Sequence, residues 1–418
     1  MQTKSAYLHF DLPVSTQSAS KVCSDLREVA RHAFYPFIYT QLPHTKIGRN
    51  SQGVIFKKEK VRQIAVAAHM DREIYAYYTH QLNELYEQAL RKLELDNVVL
   101  AFRSLGKNNI HFAQEAFTEI TKAGACNAVG IDISGFFDNL DHQYLKEKWK
   151  GLLGQNSLPA DHYNIYKSIT RYAKVEKTSL YNNFGISIHN PKHTNPVRLC
   201  EPPEFRKVVR DGGLIEVNEK NKGIPQGTSI SCALSNIYML DFDAFANKWM
   251  QSLNGSYRRY CDDMLFIYPA TQDAEIVSTV SAKLKQLGLE VNTGKTEDRK
   301  FNITGGRLKS DKPLQYLGFT FDGQQILLRS ATLSRQMTRM RKAVKLAKAS
   351  MHKRNKARGA RFLPVQKLYR RSLYKRFSYL GKGKFVSYGL KSANIMQSES
   401  IRKQIKPLWK KLLREIEK

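Results

Sequence analysis

The feature that most constrains this chain is a pair of adjacent acidic residues between two short apolar segments. Asp262 and Asp263 follow Tyr257–Cys261 and precede Met264–Tyr268, two runs rich in aromatic and aliphatic residues. This pattern predicts two strands joined at a tight bend. Two neighbouring carboxylates repel each other unless a cation lies between them. By itself, an Asp-Asp pair at a hairpin is also typical of an ordinary solvated turn.

A third carboxylate upstream makes a metal site the better interpretation. Val129, Ile131 and Ile133 alternate along the chain, which predicts a strand with these three side chains on one face. Asp132 then points to the opposite face. A strand aspartate beside the Asp262–Asp263 bend is the donor set of a two-metal polymerase site, in which two divalent ions lie about 3.5–4 Å apart.

The order of the motifs resembles that of the reverse transcriptases, from Arg62 to roughly Gly323. Each motif alone is a modest signal, but five in the expected order are specific. The segments that resemble motifs A to E of that family are Asp132–Asp138, Gly223–Ser229, Tyr260–Asp263, Gly288–Asn292 followed by Lys295, and Leu317–Phe319.

The resemblance implies a function for several further residues. Asp132, Asp262 and the Ile133 carbonyl would bind two Mg²⁺ ions, or Mn²⁺, with Asp263 assisting. Phe137 occupies the position of the steric gate that favours deoxynucleotides over ribonucleotides, with simple packing as the alternative. Arg62, Arg103, Gln226, Gly227 and Lys295 are the expected contacts to the dNTP or template, and Leu317, Gly318 and Phe319 are the expected primer grip.

The positive charge of the chain is concentrated at its C-terminal end. The 418 residues carry a net charge of +31, and residues 331–418 contain 26 Lys and Arg against three acids. A one-signed block of this kind indicates either a disordered tail or a surface for a polyanion. Helical periodicity and interleaved aromatics favour the surface, with exposed lysines at Lys342, Lys345 and Lys348.

The resemblance implies an α+β right-hand polymerase fold with three parts. We expect fingers at 1–125, a palm with an antiparallel sheet at 126–325 that includes an insert at about 144–221, and a basic helical thumb at 326–418. The thumb would bind an RNA/DNA duplex through its phosphates. The insert has no motif that assigns it a role.

Local patterns also predict individual elements. We expect a helix from about Ser15, a hairpin within residues 51–70, and a long helix capped by Asp71. In the basic block we expect three helices: one that contains Leu333–Ala347, one over Phe362–Leu380, and one over Ile401–Ile416 that is interrupted at Pro407. Arg354–Arg361 is expected to be a linker.

The cysteines and the hydropathy pattern indicate a soluble protein. The five cysteines form no CxxC motif, so neither a zinc site nor a disulfide framework is expected, and a reducing cytoplasm fits. No segment approaches 18 consecutive apolar residues, and we therefore expect no membrane association. The oligomeric state is left open.

Within the reverse transcriptases, the chain is most similar to the bacterial abortive-infection and defence-associated enzymes. Tyr260–Asp263 together with Thr228–Ser231 suggests a type 2 defence-associated reverse transcriptase. That resemblance implies antiphage defence and a structured non-coding RNA as partner and template. Two alternatives stay open: a template-independent, protein-primed DNA polymerase, and a non-catalytic RNA-binding scaffold.

Overall fold

The computed structural model describes residues 7–49, 53–191 and 196–418, in which helices alternate with small sheets whose strand pairs are antiparallel except for one parallel pair. The helices are α1 (Thr16–Ser24), α2 (Leu26–Arg31), α3 (His69–Lys92), α4 (Asn109–Ala123), α5 (His142–Leu153), α6 (Ala160–Thr170), α7 (Lys177–Asn183), α8 (Pro202–Glu204), α9 (Ser229–Tyr238), α10 (Leu240–Ser252), α11 (Ile276–Gln286), α12 (Ser330–Gly359), α13 (Arg370–Phe377), α14 (Phe385–Ile395), α15 (Glu399–Ile405) and α16 (Pro407–Glu417). None of the helices in this part of the chain is long and apolar enough to cross a membrane.

The strands form three sheets. They are β1 (Phe37–Arg49), β2 (Ile55–Val66), β3 (Cys126–Ser134), β4 (Ala173–Glu176), β5 (Glu216–Val217), β6 (Ser256–Tyr260), β7 (Asp263–Pro269), β8 (Glu290–Val291), β9 (Glu297–Thr304), β10 (Arg307–Ser310), β11 (Leu314–Tyr316), β12 (Phe319–Phe321) and β13 (Ile326–Leu328). The sheet orders are β2-β1-β4-β5, β10-β9-β3-β7-β6 with β8 paired to the end of β3, and β11-β12-β13.

The central sheet carries the predicted strand and hairpin. β3 lies between β9 and β7 and is antiparallel to both. Val129 and Ile131 are buried in one apolar cluster. Cys126 and Ala128 are buried in a second cluster, on the opposite face of the strand. The alternation predicted from the sequence therefore holds, and burial on both faces fixes the register of β3 against its neighbours.

The first sheet contains a longer hairpin than expected. β1 and β2 pair from Ile38↔Val66 to Arg49↔Ile55, so the first strand begins far upstream of the predicted 51–70 hairpin. Pro43 lies inside β1, opposite Val61. Among the described residues β4 pairs with Phe37–Tyr39 of β1 and no strand pairs with the same edge at Pro43, and an unpaired edge tolerates a residue without an amide hydrogen.

The long helix α3 is present, but Asp71 does not cap it. Its N-cap is Ala68, and the carboxylate of Asp11, from outside the helix, accepts bonds from the His69 and Met70 amides at 2.9 Å each. Asp71 is buried and accepts bonds from His32 Nε2 at 2.7 Å and from the Tyr35 amide at 3.0 Å. Its role is to hold the preceding loop against α3. The predicted helix at Ser15 is confirmed, with Ser15 as the N-cap of α1.

The C-terminal region is helical, with boundaries that differ from the prediction. α12 runs for 30 residues and includes most of the expected linker at Arg354–Arg361. Within Phe362–Leu380 only α13 is helical, and α14 was not predicted. The interruption at Pro407 is confirmed, because α15 ends at Ile405 and α16 begins at Pro407. The fingers, palm and thumb boundaries stay predictions.

Candidate active site

The pairing of β3 with β7 brings the three predicted acids to one end of the central sheet. Asp132 lies directly opposite Asp263 in the register, and Tyr260 pairs with Asp263 across the bend of the hairpin. The Ile133 amide donates to the Asp262 carbonyl at 3.1 Å, which ties the bend to the neighbouring strand. Cys261 adopts a φ of +60°, the left-handed conformation that this two-residue turn requires.

The site concentrates negative charge in a poorly hydrated place. Burial first, and then repulsion from Asp262 and Asp132, raises the pKa of Asp263 to about 7. Burial and repulsion from Asp132 also raise the pKa of Asp262 above its usual value. The raised pKa values show that nearby cations do not balance the repulsion between these carboxylates, and a bound metal cation would stabilise their ionised forms.

Each carboxylate oxygen of Asp132 has a partner, Lys295 for Oδ1 and Asn292 for Oδ2. Lys295 Nζ forms an ion pair with Asp132 Oδ1. Asn292 Nδ2 donates to Oδ2 at 3.1 Å, and the Asn292 amide donates to the Asp132 carbonyl at 2.7 Å. Among the described residues, no group of three or more His, Cys, Asp and Glu side chains is arranged to hold a metal ion. Even so, three carboxylates and a nearby carbonyl are the hard oxygen donors that Mg²⁺ prefers.

A cavity of about 600 Å³ lies in front of the acids and collects most of the other predicted residues. Its lining includes Arg62, Asp132, Ile133, Phe137, Gln226, Asp262 and Lys295. These residues come from β2, β3, the segments after β3 and before α9, the β6–β7 bend, and the loop after β8. The volume is within the range of small-molecule sites and is sufficient for a nucleotide.

The two phenylalanines after β3 have different environments. Phe136 is 3% exposed and belongs to the core. Phe137 packs against that core only in part, and its ring lines the cavity, with its centroid 5.5 Å from that of Phe136. Both residues contribute to the lining of the cavity, and Phe137 is the more exposed of the two.

The predicted nucleotide or template contact of Arg103 stays a prediction, and the structure shows its side chain paired within the protein. Its side chain is 3% exposed and pairs with Glu87 at 2.6 and 2.8 Å, and Nη1 also donates to the carbonyls of Asp96 and Val99 at 2.6 Å. The guanidinium thus makes four hydrogen bonds within the protein. Arg103 joins α3 to the segment that follows it and does not line the cavity.

Gly227 also has a different environment from the one predicted. It has a φ of +128°, and a Cβ placed on it would lie 2.5 Å from the Ala65 carbonyl oxygen of β2. The carbonyl of the preceding residue, Gln226, accepts a hydrogen bond from the Ala65 amide at 2.8 Å. The glycine therefore permits close contact with strand β2, in contrast to the expected approach to a base pair.

The predicted primer grip is the turn of the β11–β12 hairpin. Leu317 and Gly318 have φ values of +46° and +94° and form the bend, while Phe319 is buried in the core below it. Asn109 Nδ2 donates to the Leu317 carbonyl at 3.1 Å, and the Arg329 amide donates to the Gly318 carbonyl at 3.1 Å. Of the three predicted primer-grip residues, Leu317 and Gly318 reach the surface and Phe319 does not.

The predicted lysines of the basic region lie on α12. Lys342 and Lys345 are exposed and Lys348 is partly exposed, while Met340 and Val344 are buried against α13 and α16. The helix therefore presents its cations away from its packed side. This placement is compatible with contacts to phosphates but does not test them.

A buried ion pair beneath the Asp262–Asp263 bend was not predicted. Arg259 is fully buried and donates to both oxygens of Asp243, at 2.7 and 2.6 Å. Its Nη1 also donates to Asn236 Oδ1 at 3.1 Å and to the Cys261 carbonyl at 3.2 Å. Burial acts against the charge, but the Asp243 carboxylate outweighs it and raises the pKa of Arg259, so the guanidinium stays charged. The sequence signal for this ion pair is an arginine at an alternate, core-facing position of β6, where a buried charge requires a partner.

Residues 55–321 match the protein-family model described as reverse transcriptase (RNA-dependent DNA polymerase). The match covers nearly two thirds of the 418-residue chain, and the chain belongs to this family. The predicted α+β right-hand polymerase fold and the predicted enzyme class are thereby confirmed. Reverse transcriptase domains generally use divalent metal ions, which agrees with the donor set described above. A comparison with curated protein sequences finds no significant match.

Solved structures with similarity to the chain include fungal telomerases. Apo telomerase from Candida tropicalis has 13% identity and a TM-score of 0.40, over 96% of this chain and 62% of that one. Telomerase from Candida albicans in complex with a TWJ fragment of telomeric RNA has 12% identity and a TM-score of 0.40, over 98% and 71%. A C-terminally truncated Candida tropicalis telomerase has 13% identity and a TM-score of 0.39, over 70% and 57%. The chain thus spans about three fifths of the length of the Candida tropicalis telomerases.

Proposed function

We propose that the chain is an RNA-directed DNA polymerase that extends a primer 3′-hydroxyl with dNTPs. The observation that carries the proposal is the register of β3 against β7, which pairs Asp132 with Asp263, next to Asp262, while Asp132 and Asp262 line the cavity. Asp132, Asp262, Asp263 and the Ile133 carbonyl would hold Mg²⁺. Two such ions, or Mn²⁺, would activate the 3′-hydroxyl and stabilise charge on the phosphates when bound.

The other residues of the cavity fit the binding of a deoxynucleoside triphosphate. The exposed Arg62 guanidinium would form charge-assisted bonds to the phosphate oxygens, and Gln226 would hydrogen-bond near the nucleotide. The ring of Phe137 would collide with a 2′-hydroxyl and so exclude ribonucleotides. Lys295 would leave Asp132 and donate a proton to the departing pyrophosphate.

The RNA/DNA duplex would lie along the primer grip and the basic helices. Leu317 and Gly318 would contact the primer strand, and Lys342, Lys345 and Lys348 would contact phosphates without reading sequence. We further propose that the template is a structured non-coding RNA and that the enzyme acts in bacterial antiphage defence in the cytoplasm. The support for this finer assignment is the resemblance of Tyr260–Asp263 and Thr228–Ser231 to the defence-associated enzymes.

The decisive experiment is primer extension with purified protein, with and without an RNA template. DNA synthesis that requires the RNA and copies its sequence is the expected result. Synthesis of equal extent without RNA would favour the template-independent polymerase, and binding of RNA without synthesis would favour the scaffold. Sequencing of RNA that copurifies from the native host tests the finer proposal. A random sample of cellular transcripts would argue against a dedicated non-coding RNA.

A further inference from the structure

The chain folds back against the end of α12 after that helix. The amide of Gln366 donates to Asn355 Oδ1 at 2.9 Å, and Asn355 Nδ2 donates to the Gln366 carbonyl at 3.0 Å. Arg358 Nε donates to the Pro364 carbonyl at 2.7 Å. These bonds hold residues 361–369 against the end of α12, so the side chains of this segment are displayed by an ordered backbone.

Several large apolar side chains of this region are in water. Phe362 is 99% exposed, Val365 78%, Leu346 69% and Tyr369 65%. Exposure of so much apolar surface at neighbouring positions is unfavourable in an isolated protein and commonly marks a binding site. The aromatic members can contribute flat faces to a ligand.

A cavity of about 640 Å³ lies between α12 and residues 366–376; Leu346 and Tyr369 line it, and Phe362 and Val365 precede its second wall in the sequence. Its apolar lining includes Leu346, Met351 and Tyr369, and its cations are Arg354, Lys367 and Arg376. None of the described residues that line the cavity is acidic. The sequence also contains no Asp or Glu from residue 331 to residue 398. The cavity therefore combines an aromatic ring with positive charge that no carboxylate offsets.

This cavity is separate from the cavity at Asp132. α12 begins at Ser330, directly after Arg329, whose charge acts on Asp263 and lowers its pKa against the effect of burial. At about 1.5 Å per helical residue, the cavity residues on α12 lie roughly 20–35 Å along the helix from that point. A nucleic acid bound there would extend beyond the reacting 3′ end.

We propose that the cavity between α12 and residues 366–376, together with Phe362, binds single-stranded nucleic acid. Unpaired bases would stack on Tyr369 and Phe362, and Arg354, Lys367 and Arg376 would bind the flanking phosphates. Stacking on aromatic side chains and phosphate contacts to an uninterrupted positive surface are how proteins hold single strands without reading their sequence. A duplex satisfies the phosphate contacts but keeps its bases stacked internally, so the aromatic residues select for the single strand.

The test measures binding by fluorescence anisotropy with the full chain, without Mg²⁺ or dNTP. Labelled single-stranded RNA and DNA of one mixed sequence are compared with the corresponding duplex. We expect Phe362→Ala with Tyr369→Ala to weaken single-strand binding by at least about 5-fold, the lower limit for the loss of a single stacked base, and duplex binding by less than twofold. Comparison of the RNA and DNA arms shows whether either sugar is preferred.

Two comparisons separate stacking from charge and from general damage. Replacement of Arg354, Lys367 and Arg376 by Gln should flatten the dependence of log K on log salt by about 0.7 for each phosphate that is no longer neutralised, whereas the aromatic variant should leave that slope unchanged. Tyr163→Ala is the matched control, because Tyr163 is a half-exposed aromatic on α6 with Lys146 over its ring. It should leave single-strand binding unchanged.

Three results would overturn the proposal. The first is unchanged single-strand affinity in the aromatic variant with wild-type melting. The second is an equal loss for single strand and duplex. The third is a change of oligomeric state, measured by light scattering, without loss of nucleic-acid binding, which would assign the surface to a second copy of the chain. The assay does not depend on polymerase activity, so Asp262→Asn with Asp263→Asn should bind the single strand as the wild type does.

Discussion

The ion pair of Arg259 and Asp243 gives the sharpest prediction for stability. Both side chains are fully buried and joined by two hydrogen bonds. Arg259→Met leaves the Asp243 carboxylate buried without its cation, which should cost about 3–5 kcal/mol of unfolding free energy. Asp243→Leu should cost a similar amount, because it leaves the buried Arg259 guanidinium without its anion. Replacement of both residues removes the unpaired charge, so the double variant should lie within about 2 kcal/mol of wild type.

The assay is a double-mutant cycle by chemical denaturation. We expect the loss of unfolding free energy in the double variant to be several kcal/mol smaller than the sum of the losses in the two single variants. Arg258 with Glu119 is the matched control, since this ion pair comes from the preceding residue of β6 but is partly exposed. Its removal should cost at most about 1 kcal/mol. Additive effects at Arg259 and Asp243 would refute the reasoning, because they would mean that the two charges do not depend on each other.

The same double variant separates stability from catalysis. Arg259 donates to the Cys261 carbonyl, next to the acids of the bend. A methionine cannot donate, so we expect the double variant to melt close to the wild-type temperature but to extend primers with a lower kcat. Wild-type kcat in a stably folded double variant would show that Arg259 does not position the bend.

Three further predictions concern single residues. Phe137→Val should raise the use of rNTPs relative to dNTPs; an unchanged ratio of kcat/KM values would show that the ring only packs. Gly227→Ala should lower the melting temperature more than Gly106→Ala, since both have positive φ but only Gly227 meets a backbone oxygen. Asp263→Asn should stabilise the metal-free protein at pH 8, by up to about 4 kcal/mol if the pKa of about 7 falls to its usual value on unfolding. Asp263 keeps its proton to a higher pH in the folded state than in the unfolded state, so the wild type should lose stability as pH rises from about 4 to 7. The advantage of the variant should therefore disappear near pH 4. Equal stabilisation at both pH values would contradict the raised pKa.

The sequence predicted those parts of the site that follow from local periodicity. Alternation around Asp132 gave the correct face of β3, and the apolar segments around Asp262 gave the correct hairpin. Lys295 and Phe137 were predicted from the order of motifs, and both line the cavity. The strand and hairpin predictions are correct because a strand surrounded by apolar neighbours has one register that buries its side chains, while the roles of Lys295 and Phe137 stay predictions.

The features that the sequence did not indicate depend on contacts between distant segments. Motif position predicts that Arg103 contacts a nucleotide or template, and the structure adds that Arg103 donates hydrogen bonds to Glu87 of α3. Gly227 accommodates a strand more than 150 residues upstream, which no local pattern records. The capping of α3 by Asp11 has the same origin. In each case the partner was a polar group whose position only the folded chain defines.

The boundaries of the C-terminal helices failed for a different reason. Residues Arg354–Arg361 have good helical propensity, and their charge suggested a linker only because cations usually lie in solvent. α12 continues through them with its cations exposed, as a surface helix can. Conversely, Phe362 and Leu363 were predicted to lie in the helix over Phe362–Leu380, but both are exposed and lie outside any helix.

The most direct test of the central claim is primer extension on an RNA template with Mg²⁺ by the Asp262→Asn, Asp263→Asn double variant. The account predicts no detectable DNA synthesis from a protein that elutes like wild type, melts at the same or a higher temperature and binds RNA normally. Asp273→Asn, an exposed aspartate beyond the hairpin, should retain full activity as the control. Substantial synthesis by the double variant would contradict the assignment of these carboxylates as the metal ligands of a polymerase.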